Sequence, residues 1–205
     1  MIKLCKVSKS FNGRHLLENF DLEVESGEFI SIVGASGAGK TTILNIIGLL
    51  IKPDSGEISI HNFTNPGPRE TMELRRNNFG YIFQNYVLMD NETVIENLKI
   101  SKKYNPEYSL SAVKDILDLV GLDRSYLDKK VYQLSGGEQQ RIAIARAMLK
   151  RCDIILADEP TGNLDMENKR IVIDLFKKLK ELGKTIVCVT HDQEMAEQSD
   201  RVIKI

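Results

Sequence analysis

At 205 residues, 42% hydrophobic and 28% charged, with a formal net charge of −1, the chain can bury a full core but has no overall positive field, which excludes a nucleic-acid binder working through a generally basic surface. Cys5, Cys152 and Cys188 are odd in number and lack metal-ligand spacing, so neither a closed disulfide framework nor a cysteine metal site is expected, and a reducing compartment suits them. The opening MIKLCKVSKSFNGRH has no signal-peptide block and the longest apolar stretch, residues 43–51, is too short for a bilayer, so the chain is expected on the cytoplasmic side.

In chain order, residues 2–7, 22–24 and 57–60 read as short strands separated by NG and PDSG turn chemistry, the makings of a small antiparallel sheet. Residues 29–33 are an apolar run that stops at Gly34, as a strand buried on both faces does, and KTTILNIIGLLI after Gly39 reads as a buried helix. Residues 80–83, 153–157 and 185–190 are further near-continuous apolar strands of a parallel sheet. Between Asn85 and Arg151 the period turns helical, over 94–100, 110–120 and 137–150. This predicts an α/β fold with a mostly parallel core sheet and an antiparallel β subdomain (1–84 and 152–205), interrupted by an inserted helical subdomain (85–151). Apolar residues from Ile171 to Leu182 mark an amphipathic crossover helix, capped by Asp165 and ended by Gly183.

GASGAGKT, spanning Gly34, Ala35, Ser36, Gly37, Ala38, Gly39, Lys40 and Thr41, matches the phosphate-loop pattern in the strand-loop-helix context it needs, and Thr42 follows on the helix. Glycines let successive N–H groups surround phosphate oxygens, Lys40 reaches the outer phosphates, and the Thr41 hydroxyl is a Mg²⁺ ligand. A chance match in a chain of this length is on the order of 1 in 100. CDIILADEP is an apolar strand ending in Asp158 and Glu159, where parallel sheets place ligands: Asp158 is a candidate Mg²⁺ holder and Glu159 a candidate to polarise water. Alone, such a pair is a solvated turn; beside a phosphate loop it reads as catalytic. Gln84 and His191 each follow a core strand; taken singly, a Gln there is surface and a lone His a packing or capping residue, and their site roles, Gln84 toward metal and water and His191 toward the terminal phosphate or Glu159, lean on family resemblance. LSGGEQQR, from Leu134 to Arg141, sets Ser135, Gly136 and Gly137 before a helix, a second place suited to an anion.

The order of these motifs resembles the ATP-binding cassette (ABC) ATPases over nearly the whole chain, with LSGGEQQR as the family's signature. The resemblance implies ATP and Mg²⁺ as cofactors and gives Phe11 as the aromatic stacked on adenine. It implies an ATP-dependent homodimer, head to tail, in which Ser135, Gly136 and Gly137 of one copy cap the γ-phosphate held by the other. Asp165, in GNLD, resembles the loop crossing that interface. ADEPTGNLD, VTHD and GEFISIVGASGAGKTTILNIIGLL look most like the lipoprotein-releasing, macrolide-exporter and cell-division group. That group implies a separate integral membrane permease and peripheral attachment at the inner face of the cell membrane. It favours export or extraction of antimicrobial peptides, lipoproteins or drugs, with mechanical signalling to cell-wall machinery as the alternative. Polar amino-acid importers have related cassettes. A DNA-repair or translation role is disfavoured, since there is neither a long coiled coil nor a second cassette, and no nucleic-acid partner is expected. Tyr86, Val87, Leu88 and Met89, beside Asp90 and Glu92, suggest either a groove for a short permease helix or ordinary packing of the helical region. The sequence stops at Ile205, directly after DRVIKI, so no regulatory extension is expected.

Overall fold

The computed structural model describes residues 1–205, whose nine strands form two sheets. β1 (Ile2–Phe11) and β2 (Arg14–Val24) make a hairpin closed by Asn12 and Gly13, both left-handed at φ 49° and 78°, as a two-residue type I′ turn requires. The ladder continues past the apolar positions to Phe11↔Arg14, which makes both strands longer than their apolar patterns indicate. β3 (Phe29–Val33) leaves for the second sheet, while β4 (Ser55–Ile60) and β5 (Phe63–Thr64) return to complete the antiparallel order β2-β1-β4-β5.

The second sheet is parallel throughout: β6 (Phe79–Ile82), β7 (Ile154–Asp158), β8 (Thr185–Val189), β3 and finally β9 (Arg201–Lys204), in that spatial order. β9 is unmarked by apolar pattern because it is an edge strand. It is held by backbone pairing with β3 and by Arg201, which reaches Glu28 at 2.8 Å.

Side-chain alternation gives this sheet two cores. Phe29, Ile155, Ala157, Ile186 and Cys188 face one way, and Ile30, Ile32, Leu156, Val187 and Val189 face the other. The second face meets α1 (Lys40–Ile47) and the antiparallel sheet. The first meets α6 (Met166–Glu181) together with α3 (Val94–Lys99), α4 (Leu110–Leu119) and α5 (Gly136–Leu149), the helices between β6 and β7. A short α7 (Gln193–Ala196) follows β8.

Two helices depart from expectation. α1 stops at Ile47 rather than running on through GLLI: Leu49 turns left-handed at φ 59°, Leu49 N–H bonds Ile46 O and Leu50 N–H bonds Asn45 O, a Schellman ending with leucine in the usual glycine place. Gly48 meanwhile presses against Tyr81, whose hydroxyl donates to Gly48 O at 2.5 Å. α2 (Pro68–Asn77) was not foreseen, although GPRE carries its signal: Pro68 takes the first helical position and Glu70 Oε2 accepts from Gly67 N–H at 2.7 Å. The crossover helix α6 starts and ends as its sequence indicates. Asp165 accepts from Asn168 N–H at 2.8 Å, and Gly183, at φ 75°, follows the last turn.

Phe176 of α6 is fully buried, 6.2 Å centroid to centroid from Phe29 of β3, so it joins the crossover helix to the centre of the sheet. Phe176→Ala is expected to cost about 3–5 kcal/mol. Urea unfolding checks this, and a loss below about 1 kcal/mol would show that the cavity collapses freely.

Candidate functional site

Parallel pairing brings the ends of four strands to one edge. Gly34–Lys40 follow β3, Gln84 follows β6, Asp158 and Glu159 close β7, and His191 follows β8. Leu16, Ser36, Gly37, Gly39, Lys40, Thr41, Thr42, Gln84, Asp158 and Glu159 line a cavity of about 300 Å³ at this edge. The phosphate loop is held in shape by backbone geometry. Gly37 and Gly39 are left-handed, at φ 78° and 97°, and a Cβ on Gly34 would lie 2.4 Å from Ile205 O. Lys40 Nζ lies across the loop, donating to Gly34 O and Ala35 O at 2.9 Å each. Ala38 N–H bonds Ala35 O at 3.2 Å.

Thr41 Oγ1 donates to Asp158 Oδ1 at 3.1 Å. Burial raises the Asp158 carboxyl above its ordinary range, and the neighbouring Glu159 charge pushes the same way. A cation would offset both. The hydroxyl, carboxylate and Gln84 amide offered here are the hard oxygen donors that Mg²⁺ takes, so the residues fit that ion. Glu159 has a left-handed backbone, φ 47°, a conformation uncommon for a non-glycine residue. Its side chain is 14% exposed against 72% for His191, whose Nδ1 lies 2.9 Å from Glu159 Oε2 and whose backbone N–H donates to the same oxygen at 3.2 Å. The histidine thus covers the carboxylate from the solvent side.

The remaining expected residues lie elsewhere. Phe11 is exposed at the end of β1, outside the cavity lining, on the hairpin that brings Leu16 to it. Ser135, Gly136 and Gly137 are also outside the lining, at the N-terminus of α5. There Ser135 Oγ accepts from Glu138 N–H at 3.3 Å, Glu138 Oε2 accepts from Ser135 N–H at 2.7 Å, and the Tyr126 hydroxyl braces Glu138 at 2.6 Å. In this capping box the Gly136 and Gly137 N–H groups, on the first turn, have no intrahelical acceptor; Gly136 is half-buried and Gly137 is buried against Asn168.

Several linking residues have no role assigned from the sequence. Asn168, bonded twice by Asp165 at 2.8 Å, fills the space where a Gly137 Cβ would stand, 2.1 Å from its Cγ. Buried Gln140 donates to Pro160 O at 2.8 Å, and Thr161 Oγ1 to Asp192 Oδ2 at 3.0 Å, with Lys169 beside Asp192 at 3.0 Å. Gln140, Thr161 and Asp192 fall within LSGGEQQR, ADEPTGNLD and VTHD, whereas Asn168 and Lys169 fall in no motif. The exposed run at 86–89 also needs correction: Val87 and Met89 are exposed, but Leu88 packs on the core and Tyr86 is half-buried.

The ABC transporter family pattern matches residues 17–162. The chain belongs to the ABC transporter family. It is an ATPase subunit of that family. It is 41% identical to the lipoprotein-releasing system ATP-binding protein LolD of Bacteroides thetaiotaomicron, covering 99% of this chain and 95% of that one. It is also 41% identical to the macrolide export ATP-binding/permease protein MacB of Bartonella henselae over 93% of this chain, but spans only 29% of that relative's length. Among solved structures, the dimeric bacterial ABC transporter cassette MJ0796 superposes with a TM-score of 0.90 at 40% identity, covering 100% of this chain and 94% of that one. A dimeric post-hydrolysis state of MJ0796 bound to ADP and Pi gives 0.89 at 39% identity, with the same coverage. No helix is long and apolar enough to cross a membrane.

Replacing Lys40 with Ala is expected to weaken ATP binding roughly tenfold to a hundredfold, the worth of one charged hydrogen-bonding partner. Titration with a fluorescent ATP analogue measures it, and an unchanged affinity would detach Lys40 from the phosphates.

Proposed function

We propose that the cassette closes head to tail around ATP and drives a separate membrane permease in export or extraction. The observation that carries this is the separation of two anion-holding devices in one chain. Lys40 and its loop line the cavity, whereas the first-turn N–H groups of Gly136 and Gly137 do not. A second copy supplies what each cavity lacks, and the opposed pairing makes two equivalent sites.

In this reading the backbone of residues 34–42 and Lys40 hold the phosphates, Phe11 stacks on adenine, and Thr41, Asp158 and Gln84 hold Mg²⁺. Bound there, Mg²⁺ supplies neutralisation of phosphate charge. Glu159 accepts hydrogen-bonded water and polarises it toward the terminal phosphate, and His191 orients the carboxylate from the 2.9 Å contact while offering its ring to the phosphate. Ser135, Gly136 and Gly137 of the opposing copy complete the electrostatic cage, and Asp165, through Asn168, reports closure to the signature turn. Hydrolysis then awaits closure, because an open cassette leaves the phosphates in water.

The permease contact is assigned to the groove between the core and the proposed helical subdomain, residues 85–151, where Met72, Val87 and Ile100 are exposed around a cavity of about 440 Å³. Attachment there places the cassette on the inner face of the membrane. The lipoprotein-releasing and macrolide-export relatives favour export over import.

Glu159→Gln is expected to keep ATP binding while hydrolysis falls by about 10²-fold or more, the usual share of a positioned base. Wild-type turnover would remove Glu159 from the chemistry. In Ser135→Arg, monomer ATP binding should persist and turnover should drop about 10²-fold, as when an oxyanion donor is lost. Light scattering on Glu159→Gln with ATP and magnesium, with the permease present, tests the dimer itself; a cassette that stays single under those conditions defeats the proposal.

A further inference from the structure

The exposed ring of His191 has one polar contact, to Glu159, so its place is set by the backbone that carries it rather than by packing around it. That backbone, residues 190–192, runs from the end of β8 to the start of α7. At its beginning Thr190 N–H bonds Ile32 O at 3.2 Å. At its end it is fastened through the Asp192 carboxylate. Asp192 Oδ1 accepts from Met195 N–H at 3.3 Å and caps α7, while Oδ2 accepts from Thr161 Oγ1 at 3.0 Å and lies 3.0 Å from Lys169 Nζ. Thr161 is buried two residues after Glu159, and Lys169 stands near the start of α6. One carboxylate oxygen therefore joins the segment of His191, the segment of Glu159 and the crossover helix.

The ion pair within this junction is sheltered. The Lys169 and Asp192 side chains are 18% and 10% exposed, whereas the Lys177–Asp174 pair farther along the same helix lies open to water. An open pair contributes little, but taking one partner from a sheltered pair strands the other's charge away from solvent. Burial pushes the Asp192 carboxyl up, and the bonds from Lys169 and Thr161 more than offset it, holding the carboxyl below its ordinary range. Lys169 also reaches Glu194 at 3.2 Å, an exposed acid that water can satisfy instead. The cation has a firm mounting, because Val172, Phe176 and Leu179 bury the helix that bears it. Its neighbour Asn168 fills the space beside Gly137, so consecutive residues of α6 touch the signature turn and the segment of His191.

We propose that Lys169 is a positioning residue for ATP hydrolysis, which through Asp192 fixes the segment of His191 and so keeps the imidazole over Glu159. This rests on the roles proposed above for Glu159 and His191. Without the ammonium group, the Asp192 carboxylate gains more from water than from its sheltered place, and as it turns outward it gives up Thr161 and the cap of α7. The segment then loses its far anchor, and with it the N–H bond and the ring contact that His191 makes to Glu159. Glu159 is left with a wider range of orientations, and a base held in fewer productive geometries polarises water less often. Lys169 lies outside the lining of the nucleotide cavity, so the grip on the phosphates is untouched.

Lys169→Met keeps the apolar stem and removes the charge, and Lys169→Arg restores a cation. Steady-state turnover is expected to fall about tenfold in Lys169→Met while ATP affinity changes by less than about twofold, and to recover largely in Lys169→Arg. Lys177→Met, which removes the open ion pair of the same helix, should leave turnover unchanged. In an Asp192→Asn background Lys169→Met should add little further loss, because the route it uses is already broken. Ring signals of the three histidines, His15, His61 and His191, give a readout that general destabilisation does not mimic. By NMR of the full chain, with His191 assigned from His191→Gln, Lys169→Met should move the His191 signals and leave the other two in place. Unmoved His191 signals, signals that move for all three histidines, or a loss of turnover that persists at full size in Asp192→Asn each overturn the inference. Wild-type turnover in Lys169→Met beside lost turnover in Glu159→Gln overturns the inference alone. Wild-type turnover in both overturns the catalytic reading of Glu159 with it.

Discussion

Parallel hydrogen bonding between β3, β8, β7 and β6 obliges four strands to finish at one edge, and nearly everything chemical about the molecule follows from that. The register Ile32↔Val189, Asp158↔Val189 and Ile82↔Ala157 puts residues distant in sequence within one hydrogen bond of each other. Thr41 meets Asp158, and Glu159 meets His191, because their strands have no other way to end. Ligands bind at such edges because the loops there are free to vary while the buried sheet holds their ends in place.

The turn at Ser135, Gly136 and Gly137 lies away from that edge, and a web of polar side chains connects the two. Gln140 ties α5 to the segment after Glu159, Thr161 and Asp192 tie that segment to the one after His191, and Asn168 packs on Gly137. These are buried or half-buried bonds with defined geometry, so displacement of the signature helix is transmitted rather than absorbed. Proteins built this way change state as units, which suits a site completed only by a neighbour.

The groove on the opposite flank shows what electrostatics adds. Cations placed against neutral carbonyls satisfy hydrogen bonding but leave net charge uncompensated, and a low-dielectric wall keeps that charge unscreened. A docking partner therefore has more to supply than apolar area. Of the residues at 86–92, only Val87 lines this groove; Asp90 and Glu92 do not, and four cations, Arg75, Arg76, Arg146 and Lys150, do. Those cations come from α2 and the end of α5, elements that only folding brings together.

The phosphate loop, the Asp158–Glu159 strand end and the SGG turn are legible in sequence because each is local: the glycines, the charged ends and the cap all act within a few residues of themselves. The parallel strands were readable for a related reason, since burial on both faces leaves an unbroken apolar run. The edge strand β9, four residues long and largely exposed, and the leucine-capped end of α1, beside which Tyr81 bonds Gly48 O, left no such trace. By itself the sequence determined where the glycine loop lies and which strands form the core, because backbone conformation and burial are written in residue type. Only the tertiary structure decided that His191 covers Glu159, that Arg146 braces the Gln84 loop and that the groove is basic, because each of these depends on side chains meeting from distant strands and helices, a matter of packing that no local pattern encodes.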